Sequence, residues 1–150
     1  QFLNTRLEAR RVDVLRKSRE PKALLKDVVE MREKMRTHLG SSAGDSGFDL
    51  KHDRGGIVDI EFMVQYQVLA HAEMHPELAS YTDNIRQLDG LSESGCISTV
   101  DADALKSAYV RYRMLNHEAI LAGREGRVEI AEVENERQLV EGLWAQWMSS

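Results

Sequence analysis

The chain has 150 residues, of which 42% are hydrophobic and 30% charged, a composition typical of one globular domain with a buried core. Its formal net charge of −5 argues against a general nucleic-acid-binding protein. No apolar run reaches the length of about 18 residues that indicates a membrane span, and the single cysteine, Cys96, excludes an internal disulfide. We therefore expect a protein of a reducing compartment, the cytoplasm.

The N-terminal part differs in charge from the remainder. Residues 1–40 hold 11 Lys and Arg against 6 Asp and Glu, a net of +5, whereas residues 41–150 hold 9 against 19, a net of −10. Such a basic segment either faces an anionic neighbour, for example another domain or a phosphate-bearing ligand, or is an ordinary solvated helix surface. The chain begins with glutamine and not methionine, so we expect it to be a piece of a longer protein.

Helical spacing dominates the first third of the chain. A helix is predicted from Phe2 to Lys17, and a second opens at Pro21, where proline at the first helical position is favourable. The second helix has one apolar stripe and ends at Gly40. The residues of that stripe are Leu24, Val28, Met31, Met35 and Leu39. The small and polar residues 40–47 then predict a flexible loop.

A short charged stretch, FDLKHDRGGIVDIEF, covers residues 48–62. FDLK is expected to be briefly extended and HDRGG to form a turn. A strong helix is predicted from about Asp59 and is expected to stop at Pro76. Its apolar face is broad, which indicates a central helix packed on several sides.

Three further helices are predicted after Pro76. The first begins near Thr82 and Asp83, the second begins after Ser98 and closes at Gly123, and the last runs roughly from residue 133 to residue 148. No segment alternates long enough to predict a strand. The predicted fold is therefore all-α, a helical bundle of five to seven helices with a short, non-helical, glycine-rich junction.

The glycine pair Gly55-Gly56 is the first candidate for a functional site. Glycines permit positive φ, and successive N–H groups in such a turn, placed before a helix N-terminus, can bind an anion. Lys51 and Arg54 lie on the same turn and are candidates for phosphate contacts. The alternative is an ordinary glycine turn that begins a helix.

Asp59 and Glu61 form the second candidate. Two positions apart on a helix they point to different sides, so a shared metal is disfavoured. Asp59 in the first turn is favoured by the helix dipole. Glu61 is expected to pair with Lys51, Arg54 or a residue of another domain.

Other patterns with chemical potential have simpler explanations. His71 and His75 have the i, i+4 spacing of a metal pair but lack a third ligand, and Asp101 and Asp103 open an amphipathic helix that needs a cap. Phosphate-binding loops and nucleophile elbows are absent from the sequence. We therefore predict no catalytic residue and no metal site within this chain.

The junction resembles a known signature. Residues 51–62 spell K-x-x-x-G-G-I-x-D-I-E-F, which is similar to the signature of the glutamate–ammonia-ligase adenylyltransferase family. Three other segments resemble that family too, and the likeness extends from about Lys22 to the end of the chain. These segments are VVEMREKMRTHLG, YTDNIRQLDGL and ENERQLVEGLWAQWM. A looser form of the signature occurs in related uridylyltransferases that modify the PII signalling protein, but the C-terminal match favours the adenylyltransferase.

This resemblance implies a role. The family adds AMP from ATP to a tyrosine of glutamine synthetase, and removes it, in two nucleotidyltransferase units that use magnesium and are each followed by a helical domain. Residues 1–47 would connect from an upstream catalytic domain, which carries the magnesium-binding acids, and residues 48–150 would form the C-terminal helical bundle. The isolated chain is then expected to be inactive.

Two functional hypotheses follow from the resemblance. In the first, Lys51, Arg54, Gly55, Gly56, Asp59 and Glu61 form a junction that docks on the catalytic domain or completes its nucleotide site. In the second, the bundle is a regulatory module that binds glutamine synthetase or the PII protein through acidic helix faces, for example at Glu132, Glu134 and Glu136.

Overall fold

A computed structural model describes residues 21–42 and 44–149 of the chain. In these ranges the predicted all-α bundle is confirmed. The α-helices are α1 (Pro21–Leu39), α2 (Ile57–His71), α3 (Asn84–Glu93), α4 (Thr99–Leu121) and α5 (Glu134–Trp147), and short 3-10 helices cover Pro76–Ser80 and Ile130–Val133. The helix predicted between Phe2 and Lys17 lies outside the described residues.

Helix α2 is the centre of the bundle. It packs against α1, α3, α4 and α5, and most of its residues are buried, including Ile60, Met63 and Val64, which are fully enclosed. A helix that is apolar on nearly every side can be stable only when other elements surround it. The prediction of a central helix is therefore confirmed.

The bounds of α2 differ from the prediction at both ends. The helix begins at Ile57, two residues before Asp59, because the Ile57 N–H already donates to the Leu50 carbonyl over 2.8 Å. It ends at His71, well before Pro76, and Pro76 instead opens a 3-10 helix. Proline suits a helix start as well as a helix stop, and here it has the first role.

The later helices follow their cap signals. The Asp83 carboxylate accepts the Arg86 N–H at 2.9 Å before α3, and the Ser98 hydroxyl accepts the Asp101 N–H at 3.0 Å before α4. Each bond satisfies one of the N–H groups that a helix start leaves without a partner. Gly123, with φ of +78°, follows the last turn of α4 as predicted.

Two very short strands hold the junction in place. β1 (Phe48–Asp49) pairs antiparallel with β2 (Arg127–Val128), with Phe48 opposite Val128 and Asp49 opposite Arg127. The sequence predicts only the extended character of the first strand. The ladder brings the start of the junction beside the connection between α4 and α5.

Candidate docking and nucleotide-contact site

We call residues 50–56, between β1 and α2, the junction turn. Three aspartates, at positions 49, 53 and 59, fix its shape from three directions. The Asp49 carboxylate accepts the N–H groups of Lys51 and His52 at 2.9 and 3.0 Å. Such short side-chain bonds to the following backbone are the usual way in which aspartate stabilises a turn.

Asp53 connects the junction turn to the chain that follows α1. Its two carboxylate oxygens accept the N–H and the hydroxyl of Ser41, each at 2.6 Å, and one of them also accepts the Asp49 N–H at 2.9 Å. The turn is thus attached both to β1 and to the end of α1.

Asp59 is buried at the start of α2 and is shared by three donors. Its Oδ1 accepts from Nε of Arg32 and lies 3.4 Å from Nη2 of Arg36, both on α1, while its Oδ2 accepts the Gly55 N–H at 2.7 Å. The sequence places Asp59 correctly in the first turn of the helix. Its ionic partners in the described structure come from α1 of the same domain.

Arg32 is the residue at this site that the sequence reasoning missed. It is fully buried, and besides Asp59 its guanidinium donates to the His52 carbonyl at 2.7 Å. Burial lowers the pKa of Arg32, and the charge of Asp59 opposes that effect. A signal was present, because Val28, Arg32 and Met35 follow the i, i+4, i+7 spacing of a buried stripe. A charge in such a stripe needs a counter-charge.

The glycine pair serves close backbone packing. A Cβ on Gly56 would lie 2.6 Å from the Leu50 carbonyl oxygen and 3.0 Å from that of Asp53. Gly55 has φ of +85°, and a Cβ there would lie 2.9 Å from Cγ of Arg137 on α5. Only glycine fits both positions without displacing the backbone.

The N–H groups around the glycine pair already have acceptors. Gly55 donates to Asp59, Gly56 to the Asp53 carbonyl, Ile57 to that of Leu50, and Val58 to the Lys51 carbonyl at 3.0 Å. The idea that these amides bind an anion therefore does not match the described geometry. An external ligand could therefore contact the side chains of the turn but not these four amides.

Lys51 and Arg54 point out of the domain. Both are exposed, and Lys51 makes no ion pair with any described residue. Arg54 has 55% of its side chain exposed and lies 3.9 Å from Glu33, which is 49% exposed. At this distance and exposure an ion pair contributes little. The junction turn thus presents two cations, which suit a phosphate or a carboxylate.

Glu61 lies on a different side of α2. Its Oε2 is 3.5 Å from the Tyr109 hydroxyl on α4, and that hydroxyl accepts from the Asn84 amide at 3.2 Å. This half-buried acid belongs to the contact of α2 with α3 and α4, so the structure does not bring it to the two cations.

The remaining candidates stay apart from the junction. Nδ1 of His75 lies 3.4 Å from a carboxylate oxygen of Glu77, and the described residues contain no group of three or more His, Cys, Asp or Glu placed to hold a metal. Burial raises the pKa of the Cys96 thiol. No helix in the described ranges is long and apolar enough to cross a membrane.

The sequence comparisons place the chain in a family. A family model described as GlnD PII-uridylyltransferase matches residues 23–127. The chain belongs to this family. Curated relatives carry the name bifunctional glutamine synthetase adenylyltransferase/adenylyl-removing enzyme, and the resemblance stated above is thereby confirmed. The relative from Acinetobacter baylyi is 42% identical over 95% of this chain, that from Pseudomonas aeruginosa 45% over 93%, and that from Burkholderia mallei 49% over 93%.

The relatives of this family member are much longer proteins. The chain spans 16% of the Acinetobacter baylyi relative and 15% of the other two. It therefore corresponds to one small part of such an enzyme.

The packing of Gly56 leads to a first prediction. Gly56→Ala should lower the free energy of unfolding by about 2–3 kcal/mol, because the new Cβ meets two backbone carbonyls that cannot rotate away. Gly142→Ala is the matched control: it lies inside α5 with open space around it, so alanine should raise stability by about 0.5–1 kcal/mol. Urea unfolding of both variants measures these changes, and equal effects would contradict the prediction.

The Asp59 cluster leads to a second prediction. Asp59→Asn should cost about 3–5 kcal/mol, because it removes the counter-charge of the buried Arg32 and turns one acceptor into a donor. The exposed Asp103→Asn, which breaks a 3.8 Å pair with Lys106, should change stability by less than about 0.5 kcal/mol. Chemical denaturation tests both variants. A small loss for Asp59→Asn would show that the buried pair does not contribute as described.

His52 leads to a third prediction, on pH. Burial lowers the pKa of His52, so the folded chain keeps the imidazole neutral when the unfolded chain begins to bind a proton near its ordinary value of about 6.5. Stability should therefore fall as pH drops below that value. His52→Gln should flatten the decline between about pH 6.5 and the lower pKa of the folded state. Denaturation midpoints measured across this range that overlay those of the wild type would contradict the assignment.

Proposed function

We propose that this chain is the C-terminal helical domain of the bifunctional enzyme that adds AMP to glutamine synthetase and removes it. In this proposal the junction turn docks on the upstream nucleotidyltransferase domain or completes its nucleotide site. The observation that carries the proposal is the presentation of Lys51 and Arg54, exposed, on a turn that three aspartates hold rigid. Family membership and the small share of the relatives' length support it.

The chemistry assigned to the domain is positioning and charge. Transfer of AMP from ATP to a tyrosine hydroxyl releases pyrophosphate, and negative charge on the phosphates must be neutralised as the bond changes. Lys51 and Arg54 are suited to hold a phosphate group or a carboxylate of the catalytic domain. Because their backbone is fixed before the partner arrives, little ordering entropy is lost on contact.

Magnesium is assigned to the upstream domain. The described residues offer no acidic cluster that fits a metal, so no step of the reaction is attributed to a metal held by this chain. We propose that the isolated domain is inactive, that ATP and magnesium act in the longer chain, and that the enzyme is cytoplasmic.

A regulatory module is the alternative. Glu132, in the 3-10 helix before α5, and Glu134, the first residue of α5, are both exposed and could meet glutamine synthetase or the PII protein. Glu136 is less available, since it already pairs with Arg111 at 3.2 Å. Under this alternative, Glu132→Gln with Glu134→Gln would change the response to a regulator and leave basal transfer intact.

The docking proposal predicts a loss of transfer activity when the cations are removed. In the full-length enzyme, Lys51→Ala and Arg54→Ala should each lower kcat/KM for adenylylation about 10- to 100-fold, the effect of losing a charged hydrogen bond of about 1.5–3 kcal/mol. Stability should be nearly unchanged, since Lys51 pairs with no described residue and the exposed Arg54–Glu33 pair contributes little. Lys26→Ala, an exposed lysine on α1, is the control and should retain wild-type kcat/KM.

A binding titration separates docking from independent nucleotide binding. ATP should bind a chain that holds both the catalytic domain and this domain, with an affinity that Lys51→Ala weakens, and should not bind this domain alone. Unchanged turnover and ATP dependence in Lys51→Ala and Arg54→Ala would refute the proposal. Tight binding of ATP to the isolated domain would refute the docking account.

A further inference from the structure

We infer that Arg32 is a positioning residue for the two cations of the junction turn, an inference that rests on the function proposed above. Lys51 and Arg54 have the exposure that a ligand contact requires, but nothing in their own side-chain contacts fixes their place. The positions of Lys51 and Arg54 are set by the backbone of the junction turn. Arg32 contacts that turn from helix α1.

The contacts of Arg32 reach the turn at two points. Its Nη2 donates to the His52 carbonyl, and its Nε bonds to Asp59, whose other oxygen accepts the Gly55 N–H. In the sequence, His52 and Gly55 lie on either side of Arg54, and His52 directly follows Lys51. One guanidinium therefore fixes the segment on both sides of Arg54 and immediately after Lys51.

The chemistry of this arrangement requires arginine. A guanidinium presents donors in a flat, rigid fork, so it can serve a carboxylate and a carbonyl at once. Lysine keeps the positive charge beside Asp59 but offers a single nitrogen on a flexible stem. Lysine at this position of α1 should thus preserve the buried ion pair and lose the simultaneous hold on His52.

Stability alone gives no sufficient reason for this pair. A buried ion pair stabilises a fold little compared with apolar side chains of similar size, because both charges lose their hydration. Arg32 is 0% exposed and sits among apolar neighbours of α1, where a methionine has the right length. An apolar pair should therefore keep the fold while it releases the turn.

The test uses the full-length enzyme and two variants at this pair. Arg32→Lys keeps the charge, and Arg32→Met combined with Asp59→Leu removes both charges of the pair while Arg36 keeps its ion pair with Glu33. Arg32→Lys should raise the exchange rate of the Asp53 amide, which shares a peptide bond with the His52 carbonyl. The double variant should raise that of the Gly55 amide. Each rise should be at least tenfold relative to amides in the core of α2, with the unfolding transition retained. Arg86→Lys, an exposed arginine 3.7 Å from Asp83, is the control and should change neither quantity.

Enzyme kinetics then test whether Arg32 affects adenylylation through Lys51 and Arg54. Arg32→Lys should lower kcat/KM for adenylylation about tenfold in the wild-type background and by less than about twofold when Lys51 and Arg54 are already alanine. An equal loss in both backgrounds would overturn the inference, because Arg32 would then act independently of the turn. Unchanged exchange of the Asp53 amide in Arg32→Lys would overturn it as well.

The two proposals fail in different ways. If Lys51→Ala and Arg54→Ala leave turnover unchanged, the proposed function is refuted, and a positioning role of Arg32 in that function falls with it. If those variants lose activity and Arg32→Lys does not, the proposed function stands and only the inference about Arg32 is refuted.

Discussion

The shape of the junction turn depends on one buried ion pair, Arg32 with Asp59. A charge removed from water is tolerated only when an opposite charge and hydrogen bonds replace its hydration. Asp59 meets this condition through α1 on one oxygen and the Gly55 N–H on the other. The pair therefore joins α1 to the first turn of α2 and to the junction turn that leads into the central helix.

The signature residues of the junction divide into two groups with opposite requirements. Asp59, Gly55 and Gly56 face inward, where charge pairing and lack of a side chain allow backbone segments to approach closely. Lys51 and Arg54 face outward, and their side chains make at most a weak ion pair within the described residues. The motif is therefore rich in both charge and glycine because the inward-facing residues fix the backbone of the turn and the outward-facing cations stay accessible.

The sequence predicts those features that neighbouring residues determine. The span of α1, the caps at Asp83 and Ser98, and the buried face of α4 follow from local spacing and local hydrogen bonds. The central position of α2 follows from its lack of a polar face. Each of these depends on interactions within a few residues, which is the range over which a pattern carries information.

The features that the sequence did not predict depend on distant partners. Helix α2 starts at Ile57 because the carbonyl of Leu50, in the preceding turn, accepts its N–H. The amides of the glycine turn are occupied because Asp53, Leu50 and Lys51 fold back on them. Arg32 appears as an irregularity in an apolar stripe, and only the packing of α1 on α2 reveals its counter-charge. The family resemblance singled out residues 51–62 but did not indicate which of their groups are occupied by contacts within the domain.

The β1–β2 ladder makes the start of the junction depend on a distant part of the sequence. Beside it, Arg127 donates to the Ser46 carbonyl across 81 positions of sequence. Closing so long a loop has an entropy cost that the packing of the intervening helices must offset. A chain truncated before Arg127 would contain all the signature residues but lack the strand that pairs with β1. The display of the two cations therefore depends on residues near position 127 as well as on the signature itself, since Leu50 at the start of the junction turn donates to the Gly126 carbonyl.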